Sequence, residues 1–181
     1  MYNTHQQFGW VSILLHWVMA VILIGLYFVG DYMVELTYYD PLYHTLPAWH
    51  KAFGVLMGFA LLFRLVWVYA QPRPHPYSES PLELNLAKLG HLSLYGLLVV
   101  MIISGYLIST AKGKGIEIFG LFEMPALLGA DEERGELAGK VHEFAGNAFI
   151  LLVGVHALAA LFHHFYRKDS TLTRMLGFQS N

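Results

Sequence analysis

The chain has 181 residues, of which 56% are hydrophobic and 13% charged, against about 25% charged residues in ordinary soluble domains. This composition argues against a soluble globule, and the length fits one domain or about four membrane helices of roughly 20 residues each. The absence of cysteine excludes disulfide scaffolds, iron–sulfur clusters, thiol catalysis, haem attached through a cysteine pair and Cys-based zinc sites, and a formal charge of −2 without a basic stripe excludes nucleic-acid binding.

Four segments are predicted to cross the membrane as helices, which makes the fold class all-α and residues 1–181 a single integral membrane domain. The first segment, residues 11–30, contains no Asp, Glu, Lys or Arg, and its length suffices to cross about 30 Å of hydrocarbon. It lacks a preceding basic segment and a cleavage pattern, so we expect it to be retained. Apart from Lys51 at its start, the second carries one charge, Arg64, and a proline-rich connection separates it from the uncharged third. The predicted segments are residues 11–30, 51–70, 89–111 and 142–166.

The connection 112–141 is polar and mostly acidic around an apolar stretch, 118–128. We expect it to be an extramembrane loop with short helical or interfacial pieces. An even number of spans places both termini on one side, which holds six Lys and Arg residues against five on the other. This small excess favours cytoplasmic termini, because basic residues concentrate in cytoplasmic loops.

Four histidines are predicted to form two pairs, each at its own depth. An ionisable group at membrane depth costs about 2.5 kcal/mol or more unless it is paired or bound. His142 and His156 are 14 residues apart, which corresponds to about 21 Å of helix rise and a net rotation of about 40°. His50 begins the second span at the level of His142, and His16 lies near the depth of His156.

These pairs suggest bis-histidine ligation of haem b. A neutral imidazole offers one lone pair to iron, so two imidazoles from facing helices fill both axial positions and leave an electron carrier. Nearby glycines either make room for a flat macrocycle or simply let the helices pack closely. They are Gly54, Gly58, Gly146 and Gly154. For any single histidine, hydrogen bonding to a backbone carbonyl is the alternative interpretation.

Other ionisable residues are expected near the His16 and His156 pair. Arg64 lies 14 residues after His50, where we expect its guanidinium either to pair with a haem propionate or to extend to the lipid headgroups. Three histidines are expected on the side of the membrane that holds both termini. They are His91, His163 and His164. Such groups either exchange protons with a quinone, whose reduction consumes protons as well as electrons, or anchor the helix ends.

Several motifs, spread over nearly the whole chain, carry a resemblance to a known family. The most specific is the C-terminal motif His163-His164-Phe165-Tyr166-x-Lys168-Asp169-x-Thr171-Leu172-x-Arg174-Met175. The others are His16-Trp17, Trp49-His50-x-x-x-Gly54, Arg64-Leu65, Leu89-Gly90-His91, His142-Glu143 and Gly154-x-His156. The chain is similar in these motifs to the prokaryotic cytochrome b561 family, most closely to its superoxide oxidase branch.

The resemblance implies a four-helix transmembrane bundle in the bacterial inner membrane that holds two b haems. The positions that match the haem ligands are His16, His50, His142 and His156. The resemblance also implies a ubiquinone site on the cytoplasmic side, to which it assigns His91 and His163.

The activity that the resemblance implies is that of a superoxide:ubiquinone oxidoreductase. Superoxide would be oxidised to dioxygen on the periplasmic side, and electrons would pass through both haems to ubiquinone. Superoxide is an anion, so basic residues on the periplasmic side are candidates for attracting it. They are Lys51, Lys112, Lys114, Arg134 and Lys140.

Two other functions remain open from the residues alone. An electron-transfer subunit would use the same haem pairs to take electrons from a periplasmic dehydrogenase or hydrogenase. In that case the acidic segment 131–136 either docks a basic partner or is a solvated loop. A haem-free membrane protein would instead use its histidines as a proton relay.

Overall fold

The computed structural model describes residues 2–76 and 80–178, and this part of the chain contains four helices long and apolar enough to span a membrane. Their bounds are α1 Trp10–Val34, α2 Thr45–Ala70, α3 Pro81–Thr110 and α4 Glu132–Phe162. A π-helical turn, His163–Arg167, continues α4, and a short helix, α5 (Thr171–Met175), follows. The predicted all-α class with four membrane-length helices is confirmed.

Each long helix exceeds the apolar segment that predicted it, because helical structure continues into polar residues. The largest extension is at the start of α4, where Asp131 Oδ1 accepts the Arg134 backbone N–H at 2.9 Å and Glu132 and Glu133 lie in the first turn. Carboxylates at a helix N-terminus satisfy free N–H groups and oppose the helix dipole. The Asp131 N–H also donates to the Ala111 carbonyl at 2.8 Å, which anchors this end of α4 to the residue that follows α3.

The connection between α3 and α4 contains a β-hairpin, which the expectation of short helical or interfacial pieces in this loop did not include. Strand β1 (Ile116–Ile118) pairs antiparallel with β2 (Phe122–Met124). Phe119 and Gly120 have φ values of 51° and 71°, as a type I′ turn requires at both central positions. The two isoleucines of β1 are buried in a cluster with Ala52 of α2, so the apolar face of β1 packs on that helix.

The chain forms two compact units, to which all four long helices contribute. The termini unit comprises Met1–Ala20, Ala60–Gly96 and Leu151–Asn181, and the hairpin unit comprises Val21–Phe59 and Leu97–Ile150. Large apolar side chains point outward in both units, as at Val66, which is 68% exposed, and Val21, which is 69% exposed. Extensive outward apolar surface is what membrane-embedded helices present to lipid.

Candidate functional site

In the hairpin unit, the structure brings His50 of α2 and His142 of α4 together. Their ring centroids are 6.2 Å apart, and their planes are inclined by 72°. A metal–imidazole bond is about 2 Å long and the bound nitrogen lies about 1 Å from the ring centre, so two rings on opposite sides of one ion have centroids about 6 Å apart. The separation of the two imidazoles would therefore let them bind one metal ion from opposite sides.

Two glycines on the neighbouring helices give these rings their space. A Cβ atom added at Gly30 of α1 would lie 3.1 Å from His50 Cε1, and one added at Gly105 of α3 would lie 3.1 Å from His142 Cε1. Protein interiors are close-packed, so any larger residue would crowd the imidazole. Sequence reasoning missed both glycines, because each lies on a different helix from the histidine that it accommodates.

Ser104 of α3 orients the His142 ring. Its hydroxyl donates to the Val100 carbonyl at 2.6 Å, and its oxygen lies 3.0 Å from His142 Nδ1. Because the serine proton is already used, the oxygen accepts from Nδ1–H, which assigns the imidazole lone pair to Nε2. Metal-binding histidines usually have such a partner on the other ring nitrogen. Nothing in the sequence pattern around Ser104 indicates this contact.

The glycines that were predicted next to the histidines divide into two groups. Gly54 and Gly154 have no atom within 4 Å of the position that a Cβ would take, whereas Gly58 and Gly146 contact side chains of α3. Open space thus lies beside the first two, and close helix packing explains the second two. An apolar cavity of about 210 Å³ also borders His50.

In the termini unit, His16 of α1 and His156 of α4 face each other. Their ring centroids are likewise 6.2 Å apart, with 63° between the planes. His91 of α3 adds a third imidazole, 5.4 Å from that of His156. Within residues 2–76 and 80–178 no group of three or more His, Asp or Glu side chains is arranged to hold a metal ion.

Arg64 of α2 is part-buried, and its guanidinium is turned toward His16. Its Nε donates to the Tyr95 hydroxyl at 3.0 Å, and its Nη2 lies 3.4 Å from His16 Nδ1. A guanidinium has only hydrogen-bond donors, so Arg64 requires hydrogen-bond acceptors near His16. Tyr95, one helical turn after His91 on α3, was not anticipated from the sequence.

His163 is paired with a carboxylate at the termini side. Its Nδ1 lies 2.6 Å from Asp169 Oδ2. Burial raises the pKa of Asp169, but hydrogen bonds from Thr171 and His163 outweigh burial and hold that pKa below its ordinary value. The carboxyl group is therefore ionised at neutral pH and faces the imidazole as an anion. The sequence singled out His163 but gave no role to Asp169.

The five basic residues considered for superoxide attraction all belong to the hairpin unit. The four lysines among them are exposed. Arg134 is half-buried, forms an ion pair with Asp131 at 3.6 Å and donates to the Gly129 carbonyl at 2.6 Å. The same unit contains ten acidic residues, so the lysines lie in an acidic environment.

Known proteins are similar to this chain over nearly its whole length. The family model for prokaryotic cytochrome b561 matches residues 7–178, a range that includes every candidate residue above. The chain is 43% identical to "Cytochrome b561 homolog 2" of Escherichia coli (strain K12) over 180 residues, which covers 99% of this chain and 96% of that protein.

Two further relatives align over almost the same range. The chain is 29% identical to "Probable superoxide oxidase CybB" of Yersinia pestis, with 95% of this chain and 97% of that protein covered. It is 25% identical to "Cytochrome b561 homolog 1" of Escherichia coli (strain K12), with 94% of this chain and 97% of that protein covered. Proteins of this family are b-type cytochromes. The chain therefore belongs to the prokaryotic cytochrome b561 family and is a multi-pass membrane protein of electron transfer.

Proposed function

We propose that this chain is a dihaem cytochrome b of the bacterial inner membrane that oxidises superoxide on the periplasmic side and reduces ubiquinone on the cytoplasmic side, where both termini lie. Two superoxide anions, one ubiquinone and two protons give two dioxygen molecules and one ubiquinol, which balances electrons, protons and charge. The observation that carries the dihaem assignment is the equal 6.2 Å separation of the two facing histidine pairs.

The chain's own residues would hold one haem in each compact unit. His50 and His142 would bind the iron of the haem in the hairpin unit, and His16 and His156 would bind that of the haem in the termini unit. Bound haem b would supply one-electron transfer chemistry. Ser104 keeps the His142 lone pair on Nε2, so this ligand is preorganised.

Arg64 is proposed to bind a haem propionate. A guanidinium forms its strongest hydrogen bonds with carboxylates, whereas here its partners are a tyrosine hydroxyl and, at 3.4 Å, an imidazole nitrogen. A histidine that binds metal through Nε2 keeps its proton on Nδ1 and then has no lone pair to offer Arg64. A propionate would give the arginine a replacement acceptor in the same part of the unit.

Superoxide is proposed as the electron donor because one relative, at 29% identity, is named a probable superoxide oxidase. The exposed lysines of the hairpin unit are the groups that would attract the anion. These are Lys51, Lys112, Lys114 and Lys140. Arg134 contributes little to attraction, because its charge is already opposed by that of Asp131.

The acidic excess of the hairpin unit favours a second candidate for the donor. Ten carboxylates against five basic side chains would repel an anion at long range but attract a basic redox protein. In this alternative, a dehydrogenase or hydrogenase partner delivers electrons to the same haem and the route to quinone is unchanged.

Haem stoichiometry tests the ligand scheme. We expect two haems per chain in the purified protein, and one in each of His142→Ala and His156→Ala, because each substitution removes one axial ligand of one pair. His44→Ala, in the exposed connection between α1 and α2, is the matched control and should retain both. Loss of both haems or of neither in the His142 variant would contradict two independent sites.

Donor identity is tested with a superoxide source, a water-soluble ubiquinone analogue and the purified cytochrome. We expect haem reduction followed by quinol formation, and both should stop when superoxide dismutase is added. If haem reduction stays at background while chemically reduced protein still reduces the quinone, the superoxide assignment is wrong and a protein donor replaces it.

A further inference from the structure

The chain folds back on itself directly after α4, and this fold brings Asp169 to His163. The His163 carbonyl accepts the backbone N–H of Lys168 and, at 3.2 Å, that of Asp169. Lys168 adopts a left-handed conformation with φ 56°, which few non-glycine residues do. π-Helical turns of this kind are rare and are concentrated at functional sites.

The two carboxylate oxygens of Asp169 have different partners. Oδ1 accepts the Thr171 backbone N–H at 2.8 Å, at the start of α5, and Oδ2 lies 2.6 Å from His163 Nδ1. The side chains of His163 and Asp169 are 25% and 17% exposed, so the pair is sheltered but remains accessible to a proton source. A buried carboxylate on Nδ1 fixes the imidazole tautomer and stabilises the protonated ring, as in catalytic triads.

Two arginines that flank this pair along the chain have other partners. Arg167 of the π-helical turn forms an ion pair with Glu83 of α3. Arg174 of α5 donates to the carbonyls of Gln6 and His75. Asp169 is thus the carboxylate that acts on His163, and its low pKa, described above, keeps it anionic at neutral pH.

We propose that Asp169 is a positioning residue for proton transfer to the reduced quinone, which His163 carries out through Nε2. The proposal rests on ubiquinone reduction as the proposed function. When the quinone has received its electrons, the Nε2–H bond of protonated His163 breaks and a quinone O–H bond forms. His163 then regains a proton from solvent, and Asp169 itself neither gains nor loses one.

A purely structural role for Asp169, capping α5, makes a different prediction. Asn at this position is nearly isosteric, and its amide oxygen still accepts the Thr171 N–H. Its amide nitrogen then faces His163 Nδ1 as a donor and forces the ring proton to Nε2. Asp169→Asn therefore preserves the cap but reverses the tautomer, which separates the two roles.

The first experiment measures reoxidation of dithionite-reduced protein by a water-soluble ubiquinone analogue. We expect Asp169→Asn to lower kcat by about 100-fold with KM changed less than about twofold, His163→Gln to have a similar effect and Asp169→Glu to recover part of the rate. In the double variant His163→Gln/Asp169→Asn, the second change should add little. The Ser170 side chain makes no capping hydrogen bond, so Ser170→Ala should behave as wild type.

The second readout needs no turnover. At a pH where the His163 ring is neutral, ¹⁵N NMR of histidine-labelled protein should show its proton on Nδ1 in the wild type and on Nε2 in Asp169→Asn, with the signal identified by its absence in His163→Gln. Unchanged rates in Asp169→Asn, or the same tautomer in both proteins, would overturn the proposal. Failure of wild-type protein to reduce the quinone would instead overturn the proposed quinone reductase function.

Discussion

The Oγ atom of Ser104 lies 3.0 Å from Nδ1 of His142, and the serine is 4% exposed. Its own proton is directed to the Val100 carbonyl, so Ser104 is an acceptor toward the histidine. A hydroxyl that bonds back to its own helix is common, and what distinguishes Ser104 is that the remaining lone pair meets a candidate metal ligand. Ser104 and the Met101 carbonyl, which is also hydrogen-bonded to His142, thereby favour one direction and one tautomer of the imidazole.

Replacing Ser104 by alanine should weaken haem binding in the hairpin unit. The Nδ1–H of His142 would keep only the Met101 carbonyl as an acceptor, and loss of such partners lowers metal affinity by about 10-fold to 100-fold. Haem retention during titration with a competing apo-haem protein measures the change. Ser109→Ala is the matched control, because Ser109 also bonds a carbonyl of its own helix, that of Gly105. Equal haem loss in both variants would mean that the substitutions disturb α3 itself and do not act through His142.

Replacing Gly105 by alanine should displace the His142 ring. A Cβ 3.1 Å from Cε1 forces the imidazole to shift, and such overpacking typically costs about 1–3 kcal/mol, hence about 5-fold to 150-fold in haem affinity if the whole cost falls on haem binding. Gly96→Ala on the same helix is the control, since nothing lies within 4 Å of its Cβ position. Helix propensity alone would make both variants more stable, by about 1 kcal/mol. A Gly105→Ala protein with full haem content and a higher Tm would contradict the crowding argument.

The placement of the four central histidines could be worked out from the sequence, because rise and rotation along a helix are fixed by geometry. Counting 14 residues from His142 to His156 gives their depths without knowledge of the packing. The uncharged spans could be located for the same reason, since crossing hydrocarbon requires a minimum apolar length.

Contacts between helices could not be obtained in this way. The relation of Gly30 to His50 depends on how α1 and α2 are rotated against each other, which periodicity does not determine when apolar residues cover the helix on all sides. The β-hairpin was missed for a related reason. Its turn uses a non-glycine residue, Phe119, at positive φ, so the usual Asn-Gly or Asp-Gly signal is absent.

Replacing Arg64 by glutamine should lower the reduction potential of the haem in the termini unit. Loss of a nearby positive charge disfavours the reduced state, and a change of about tenfold in the equilibrium constant corresponds to roughly 60 mV for one electron. Tyr95→Phe, which removes the hydroxyl partner of Arg64 but keeps the guanidinium, is the control and should shift the potential less. A spectroelectrochemical titration that shows equal shifts in both variants would rule out a direct charge effect.

Replacing Lys112 and Lys114 together by glutamine distinguishes the two candidate electron donors. If superoxide is the donor, removing two exposed positive charges should lower the rate constant for haem reduction by about 3-fold to 10-fold at low ionic strength. The difference should vanish near 1 M salt, where the Debye length is about 3 Å. Lys88→Gln, an exposed lysine of the termini unit, is the control and should leave the rate unchanged. A basic donor protein predicts the opposite sign, because fewer lysines among ten carboxylates increase its attraction and raise the rate.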